Sequence, residues 1–219
     1  MALITGSTTS VSADVGAASA KALHVQPRPI DAGSLGHYEM SLTTGTIAAA
    51  SGTDVEIVQF RWTHASYLAL VRLVDVQYFS SLGTGFTAGV ADFGLKVARA
   101  WTADGSGGTT STPTSNDTKL RTSFSTSNVG AIRVSSTAAL TAGTKTLDTY
   151  FISKCKAQVT TAQNTLFLLT PNGVLYRPGP FEQPITLAAQ EGFVVTASIP
   201  ATGTWEARVR VAWSEVTAY

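Results

Sequence analysis

The large apolar residues of this chain recur at every second position over short runs, and almost nowhere at the three-and-four spacing of an amphipathic helix. Period two sends successive side chains to opposite faces of a strand, so the chain is confined to sheets that bury one face. Between the runs lie 32 Thr, 21 Ser and 19 Gly. Thr suits a pleated surface, while Gly and Ser suit turns. Charged residues make up only 13% of the 219, about half the usual share, which leaves few of the charges that surface helices present.

The segments follow in turn. A polar, aperiodic opening is read as a flexible arm (1–20), and residues 21–219 as one domain. Lys21–Val25 is a short strand ended by Pro27 and Pro29, and His37–Leu42 is extended. Val58, Phe60 and Trp62 share a face, with Gln59 and Arg61 opposite and Glu56 ahead of them. Phe93, Leu95, Val97 and Trp101 point inward, Asp92 and Lys96 outward. Ile132–Leu140 and Lys145–Ile152 read as two strands around a Thr141–Gly143 turn. Thr165–Thr170 and Val174–Tyr176 flank a Pro171–Gly173 turn, and Pro178–Pro184 is a rigid crossover. A C-terminal hairpin closes the chain: Phe193, Val195, Ala197 and Ile199 line one arm, Trp205, Val209, Val211 and Trp213 the other. About ten such strands with connections of uneven length predict an all-β antiparallel β-sandwich, jelly-roll-like, and not an up-and-down barrel.

Two segments depart from the pattern. Tyr67–Phe79 is apolar on both faces, with Leu68, Leu70, Val74 and Val76 against Ala69, Val71 and Leu73. An antiparallel strand with one open face has no need of that, so another part of the chain or a second subunit covers it. Thr102–Asn128 is a long Ser/Thr/Gly-rich loop whose only large apolar residues are Leu120 and Phe124. Loops of that length are usually excursions or binding loops.

Several functions are disfavoured. A net charge of +1 lacks the basic footprint of a nucleic-acid or anionic-membrane binder. No apolar run approaches bilayer length, and the opening residues lack the pattern of a signal peptide. The single Cys155 excludes an internal disulfide, and with Lys154 and Lys156 facing away from it on a strand it reads as an apolar filler. His24, His37 and His64 lie in separate segments without ligand spacing. Gly83–Gly89 lacks the Lys-Ser/Thr of a phosphate loop. Asp104, Asp117, Glu182 and Glu191 fall at turns, unpaired for acid–base work, and no nucleophile elbow is present. All four tryptophans read as inward-facing, which leaves Phe124, Tyr176 and Phe181 as candidates for a sugar-stacking platform. No catalytic, cofactor-binding or metal residue is assigned, no cofactor is expected, and the chain is not expected to be an enzyme.

A series of motifs remains. Arg28-Pro-Ile-Asp-Ala-Gly-Ser-Leu-Gly-His-Tyr38, Phe60-Arg-Trp62, Val97–Thr109, Lys119-Leu-Arg-Thr-Ser123, Ile132–Asp148, Glu191-Gly-Phe-Val-Val195 and Trp205–Val216 run in order along the chain. From about Lys21 onward they resemble a family of small β-rich virion proteins of tailed bacteriophages and prophages. None of the motifs is catalytic, so the resemblance implies a virion structural role and transfers no site residues. The expectation is a capsid decoration (cement) protein on the outer surface of the capsid, made in the host cytoplasm. Its partners would be the major capsid protein or another virion protein, and further copies of itself, a trimer being favoured. The alternatives are a tail, collar or fibre component, or a carbohydrate-binding module that recognises a host glycan. The arm, Tyr67–Phe79 and Thr102–Asn128 are the segments expected at these contacts.

Overall fold

The computed structural model describes residues 35–48, 52–80, 87, 89–113, 116, 118–159, 173–180 and 182–217, with the side chains of 78–80 and 158–159 excepted. The arm, the strand expected at Lys21–Val25, most of Gly83–Gly89 and the strand expected at Thr165–Thr170 lie outside those residues. The strands are β1 (Gly36–Thr43), β2 (Ile47–Ala48), β3 (Val55–Trp62), β4 (Leu68–Ser80), β5 (Gly89–Ala103), β6 (Thr109–Ser111) and β7 (Ala131–Val134). They continue with β8 (Thr144–Leu147), β9 (Ser153–Val159), β10 (Val174–Tyr176), β11 (Ile185–Leu187), β12 (Glu191–Ser198) and β13 (Thr204–Val216). No helix among the described residues is long and apolar enough to cross a membrane.

The strands pair antiparallel in two sheets. The first has the order β1-β13-β4-β10, with β2 also on β13 and β11 also on β4. The second runs β6-β7-β3-β12-β5-β8, with β9 also on β5. The chain changes sheet from β2 to β3, β3 to β4, β4 to β5, β9 to β10, β11 to β12 and β12 to β13. Thus β1-β13-β4-β10/β11 face β3-β12-β5-β9, the two halves of a jelly roll. Residues 104–152, between β5 and β9, form an insertion that adds β6 and β7 to one edge of the second sheet and β8 to the other.

This topology corrects the expected C-terminal hairpin. β12 pairs with β3 and β5, while β13 pairs with β1 and β4. Residues between them carry the chain across the sandwich, with Thr202 and Gly203 in left-handed backbone (φ 69° and 82°). Strands side by side and strands face to face each turn one apolar side inward, so alternation alone does not separate the two arrangements. For the same reason β7 and β8 flank the Thr141–Gly143 turn without pairing: β7 joins β3 and β6, and β8 joins β5.

The core is aromatic. Phe60 and Phe193, cross-strand partners, stack at 4.8 Å. Trp213 meets Phe60 edge-on from the opposite sheet at 5.3 Å and stacks on Tyr38 at 5.5 Å. Farther along, Phe93 and Trp205 make a second edge-to-face contact between the sheets at 6.1 Å. These rings, fully buried together with Trp62, each contribute several kcal/mol: truncating one to Ala typically costs about 3–5 kcal/mol.

Three breaks in alternation decide which side chains leave the core. On β4, Trp213 faces Val71 and Ala212 faces Leu73, so Arg72 is an extra residue in a β-bulge. Ala69 and Val71 before it, and Val74 and Val76 after it, therefore all point inward. The doubly apolar strand is two half-strands joined out of phase. Leu70 and Leu73, on its outer face, are 0% and 6% exposed, so no second subunit is needed to cover them. On β3, Val195 faces Val58 and Thr196 faces Glu56, which makes Ile57 the extra residue and turns Glu56 outward beside Gln59. On β5, Ala100 takes left-handed backbone (φ 48°) and the pairing with β8 shifts between Arg99 and Ala103. Trp101 accordingly packs with Ala98 and Val194 in a second cluster, a correction to its expected inward position.

Because Arg72 is surplus to the alternation, its deletion should leave every later β4 side chain on its present face and the protein folded. Deletion of Asp75 should instead send Val76 outward and Gln77 inward. An unpaired buried amide costs about 1–3 kcal/mol and the lost Val burial about 1.5–3 kcal/mol, a large part of a typical stability. Thermal melts followed by circular dichroism check the pair. An unfolded Arg72 deletion beside a folded Asp75 deletion would contradict the register.

Candidate functional site

The insertion is where the molecule departs from a plain jelly roll. Its first half is tied to the edge of the first sheet: Glu39 N–H donates to the Thr118 carbonyl (2.8 Å) and Leu120 N–H to the His37 carbonyl (3.1 Å). Ser127 and Asn128 then close over Glu215, fully buried near the end of β13. The Glu215 carboxylate accepts Ser127 Oγ (2.6 Å), Asn128 N–H (3.0 Å), Asn128 Nδ2 (2.7 Å) and Trp213 Nε1 (3.1 Å). Burial first, and the Glu215 charge second, push the Tyr38 hydroxyl up to about 12, and that hydroxyl donates to the Ser125 carbonyl (2.8 Å). Thr102–Asn128 is therefore largely a fastened crossing and not a free binding loop. Leu120–Ser123 is one of its exposed stretches, where Leu120 is 64% exposed.

The second half crosses the outer face of the second sheet. Beneath it lies Gln59, buried: its Nε2 donates to the Glu56 carboxylate (2.6 Å) and the Thr141 carbonyl (2.7 Å), and its Oε1 accepts Gly105 N–H (3.2 Å). Lys145 Nζ donates to the same Glu56 Oε2 (2.8 Å) and to the Ala142 carbonyl, with the Trp101 ring centre 4.6 Å away. The Lys145 side chain is 1% exposed. A side chain at position 105 would collide with the Thr141 carbonyl, so only glycine lets this backbone approach so closely. Removing such a pair from water costs several kcal/mol per ion, which this set of hydrogen bonds offsets. The exposed Arg99–Asp148 and Arg99–Glu191 pairs nearby contribute at most about 1 kcal/mol each.

Past β8 the chain turns out from the sheet edge. Phe151 folds back over Gly94, where any side chain would clash with it, and its ring lies between Lys96 (4.3 Å) and Lys154 (4.1 Å). Lys154 is in turn paired with Asp54 (3.0 Å) and Asp92 (3.2 Å). Next to this held ring, Tyr150 is 84% exposed and Ile152 46%. The arrangement presents an exposed tip beside a ring held between two lysines.

The outer face of the first sheet is polar. Glu39, Ser41, Asp75, Gln77, Arg208 and Arg210 line an open depression of about 310 Å³, with Arg210 Nε 2.5 Å from Glu39. Burial raises the Asp75 pKa against the opposing pull of Arg210 and Arg177. At one end of this face His37 Nδ1 lies 2.7 Å from Ser214 Oγ, and burial lowers the imidazole pKa.

The residues singled out in the sequence do not converge. His64 accepts Tyr67 N–H (3.0 Å) in a turn and stacks on that ring, far along the chain from His37. Asp104 pairs with Arg61, Glu182 accepts Gly179 N–H, and Glu191 accepts Ala188 N–H and pairs with Arg99. Glu182 and Glu191 each hold their own turn. Phe124 packs edge-on against His37, while the Tyr176 hydroxyl accepts Ile185 N–H (2.8 Å), and the two lie toward opposite edges of the first sheet. They make no common platform. His24, Asp117 and Phe181 lie outside the described residues. Sequence reasoning missed Tyr150 because Lys145–Ile152 reads as one strand, whereas β8 ends at Leu147.

Cys155 faces Phe93 inside the core, with Lys154 and Lys156 exposed on the other side. Burial, then the Asp92 charge, push its thiol from 9.0 up to about 11. A thiol raised by folding stabilises while it is protonated, so its contribution is complete below pH 9 and is lost as pH climbs through about 11. Ellman's reagent at about pH 8 should leave the native protein unlabelled and titrate the thiol fully in urea. Rapid labelling without denaturant would contradict this placement.

Compared with protein-family models and with curated proteins, the chain matches none.

Proposed function

We propose that this chain is a structural protein of a tailed-phage particle, a non-enzymatic capsid decoration protein that docks on the outer surface of the major capsid lattice. The observation that carries the reading is the tip formed by Tyr150 and Ile152, apolar side chains left outside by the fold and held on a rigid edge. The motif series from Arg28 to Val216 supports the same reading. β4 does not, since its outer leucines are covered already.

Magnitude bears on the mode of binding. An aromatic side chain buries about 150–250 Å², so covering one tyrosine is worth roughly 4–6 kcal/mol at 25 cal/mol/Å². Orientation and ordering costs consume much of that, so a single tip binds weakly. A cement protein overcomes this by engaging several tips together, which is the reason a trimer fits the reading.

Quantitative mass spectrometry of particles from the phage or prophage that encodes the chain tests it. Hundreds of copies per particle are expected. A count of about six or twelve would move the protein to the tail or collar, and absence from particles would overturn the virion role. Tyr150→Ser should lower particle occupancy about tenfold or more while leaving the thermal midpoint within about 2 °C. Unchanged occupancy would remove the tip from the contact. A glycan-binding role is favoured by one feature, the depression lined by Glu39, Asp75, Gln77 and Arg210, whose groups suit sugar hydroxyls. Glycan-array binding lost in Asp75→Ala would select it.

A further inference from the structure

We propose that Lys145 and Gln59 join spontaneously through a side-chain amide, with Glu56 carrying the protons. The inference is independent of the virion reading. Its basis is the juxtaposition of an amine, a carboxylate and a carboxamide in one buried cluster on the outer face of the second sheet. Lys145 Nζ lies 2.8 Å and Gln59 Nε2 lies 2.6 Å from the same oxygen, Glu56 Oε2. The attacking and leaving nitrogens are thus gathered around a single proton carrier. Gly105 N–H, 3.2 Å from Gln59 Oε1, is placed where negative charge develops when the carbonyl is attacked. The Thr141 carbonyl holds the carboxamide from the other side. Gln59, Glu56 and the Lys145 side chain are nearly inaccessible to solvent, and the Trp101 ring forms part of the wall, so hydrolysis does not compete.

The step balances without an oxidant or a second reactant. Lys145 Nζ passes a proton to Glu56 Oε2, and the freed lone pair forms a bond to Gln59 Cδ. The carbonyl electron pair moves to Oε1 and is stabilised by the Gly105 donor. Glu56 delivers its proton to Nε2 and takes the second proton from Nζ. The carbonyl re-forms, the Cδ–Nε2 bond breaks, and ammonia leaves. On taking the remaining proton from Glu56 it departs as ammonium, so the carboxylate is restored. An amine and a carboxamide held on one carboxylate oxygen by their own fold gain the large effective concentration of an intramolecular reaction.

Intact-mass spectrometry of the purified, fully folded chain tests this directly. The expected mass is below that of the sequence by one ammonia, and protease digestion should yield a branched peptide that joins Gln59 to Lys145. A full sequence mass that persists on incubation overturns the proposal. So does a loss of ammonia with the two residues in unlinked peptides. Lys145→Arg and the near-isosteric Glu56→Gln should both show the full mass; a linked Glu56→Gln chain would exclude the assigned proton carrier. The unsubstituted protein decides the matter even where a variant does not fold.

Discussion

Each main strand of this sandwich has one face in the core, and strict alternation would fix the destination of every side chain. The architecture depends on where alternation is broken. Ile57, Arg72 and Ala100 are single-residue departures, and each changes the side on which its neighbours emerge. The bulge at Arg72 keeps Val71 and Val74 together in the core. The bulge at Ile57 turns Glu56 away from the interior and sets it beside Gln59. The left-handed Ala100 brings Trp101 out over the same region. Without the last two departures, Glu56 would be a buried charge among aromatic rings and Lys145 would have no partner.

Two kinds of interaction then divide the work. The sheets are held face to face by Phe60, Trp213, Phe93 and Trp205, whose burial far outweighs any single ion pair. The insertion sends Val129, Ile132 and Val134 into the core, and polar anchors fix its polar stretches: Glu215 near its middle, and the Glu56–Gln59–Lys145 cluster before its end. Such anchors are directional. Hydrophobic contact would let this polar segment slide, whereas a carboxylate accepting four donors defines one position for it.

The parts legible in the sequence are those governed by period two. The all-β sandwich, the extended His37–Leu42, the inward faces of Val58–Trp62 and Trp205–Trp213, and the core position of Cys155 all follow from it. Which strand neighbours which does not, because β12 and β13 present the same pattern whether paired or opposed. Bulges were invisible for a related reason: an extra Arg72 produces the same doubly apolar string as a strand covered on both sides. The polar cluster was the least legible. Gln59 and Lys145 lie far apart in the chain, and their pairing with Glu56 exists only after the insertion has crossed the sheet.

The insertion also carries the exposed tip, and the two features are mechanically linked. Tyr150 stands five residues beyond Lys145, the second residue of β8, and β8 contacts β5 through three paired positions with a shift in register. A pairing that short is marginal in isolation, so a load applied at Tyr150 would peel β8 from the edge of the sheet. Fixing Lys145 to the interior strand β3 stops the peeling at the root of the tip. A covalent link across a loop of fewer than about a hundred residues adds roughly 4–5 kcal/mol by restricting the unfolded chain. The root of that tip is where Lys145 and Gln59 share one buried oxygen of Glu56, so the same cluster that seats the insertion on the sheet also anchors the strand from which the tip projects.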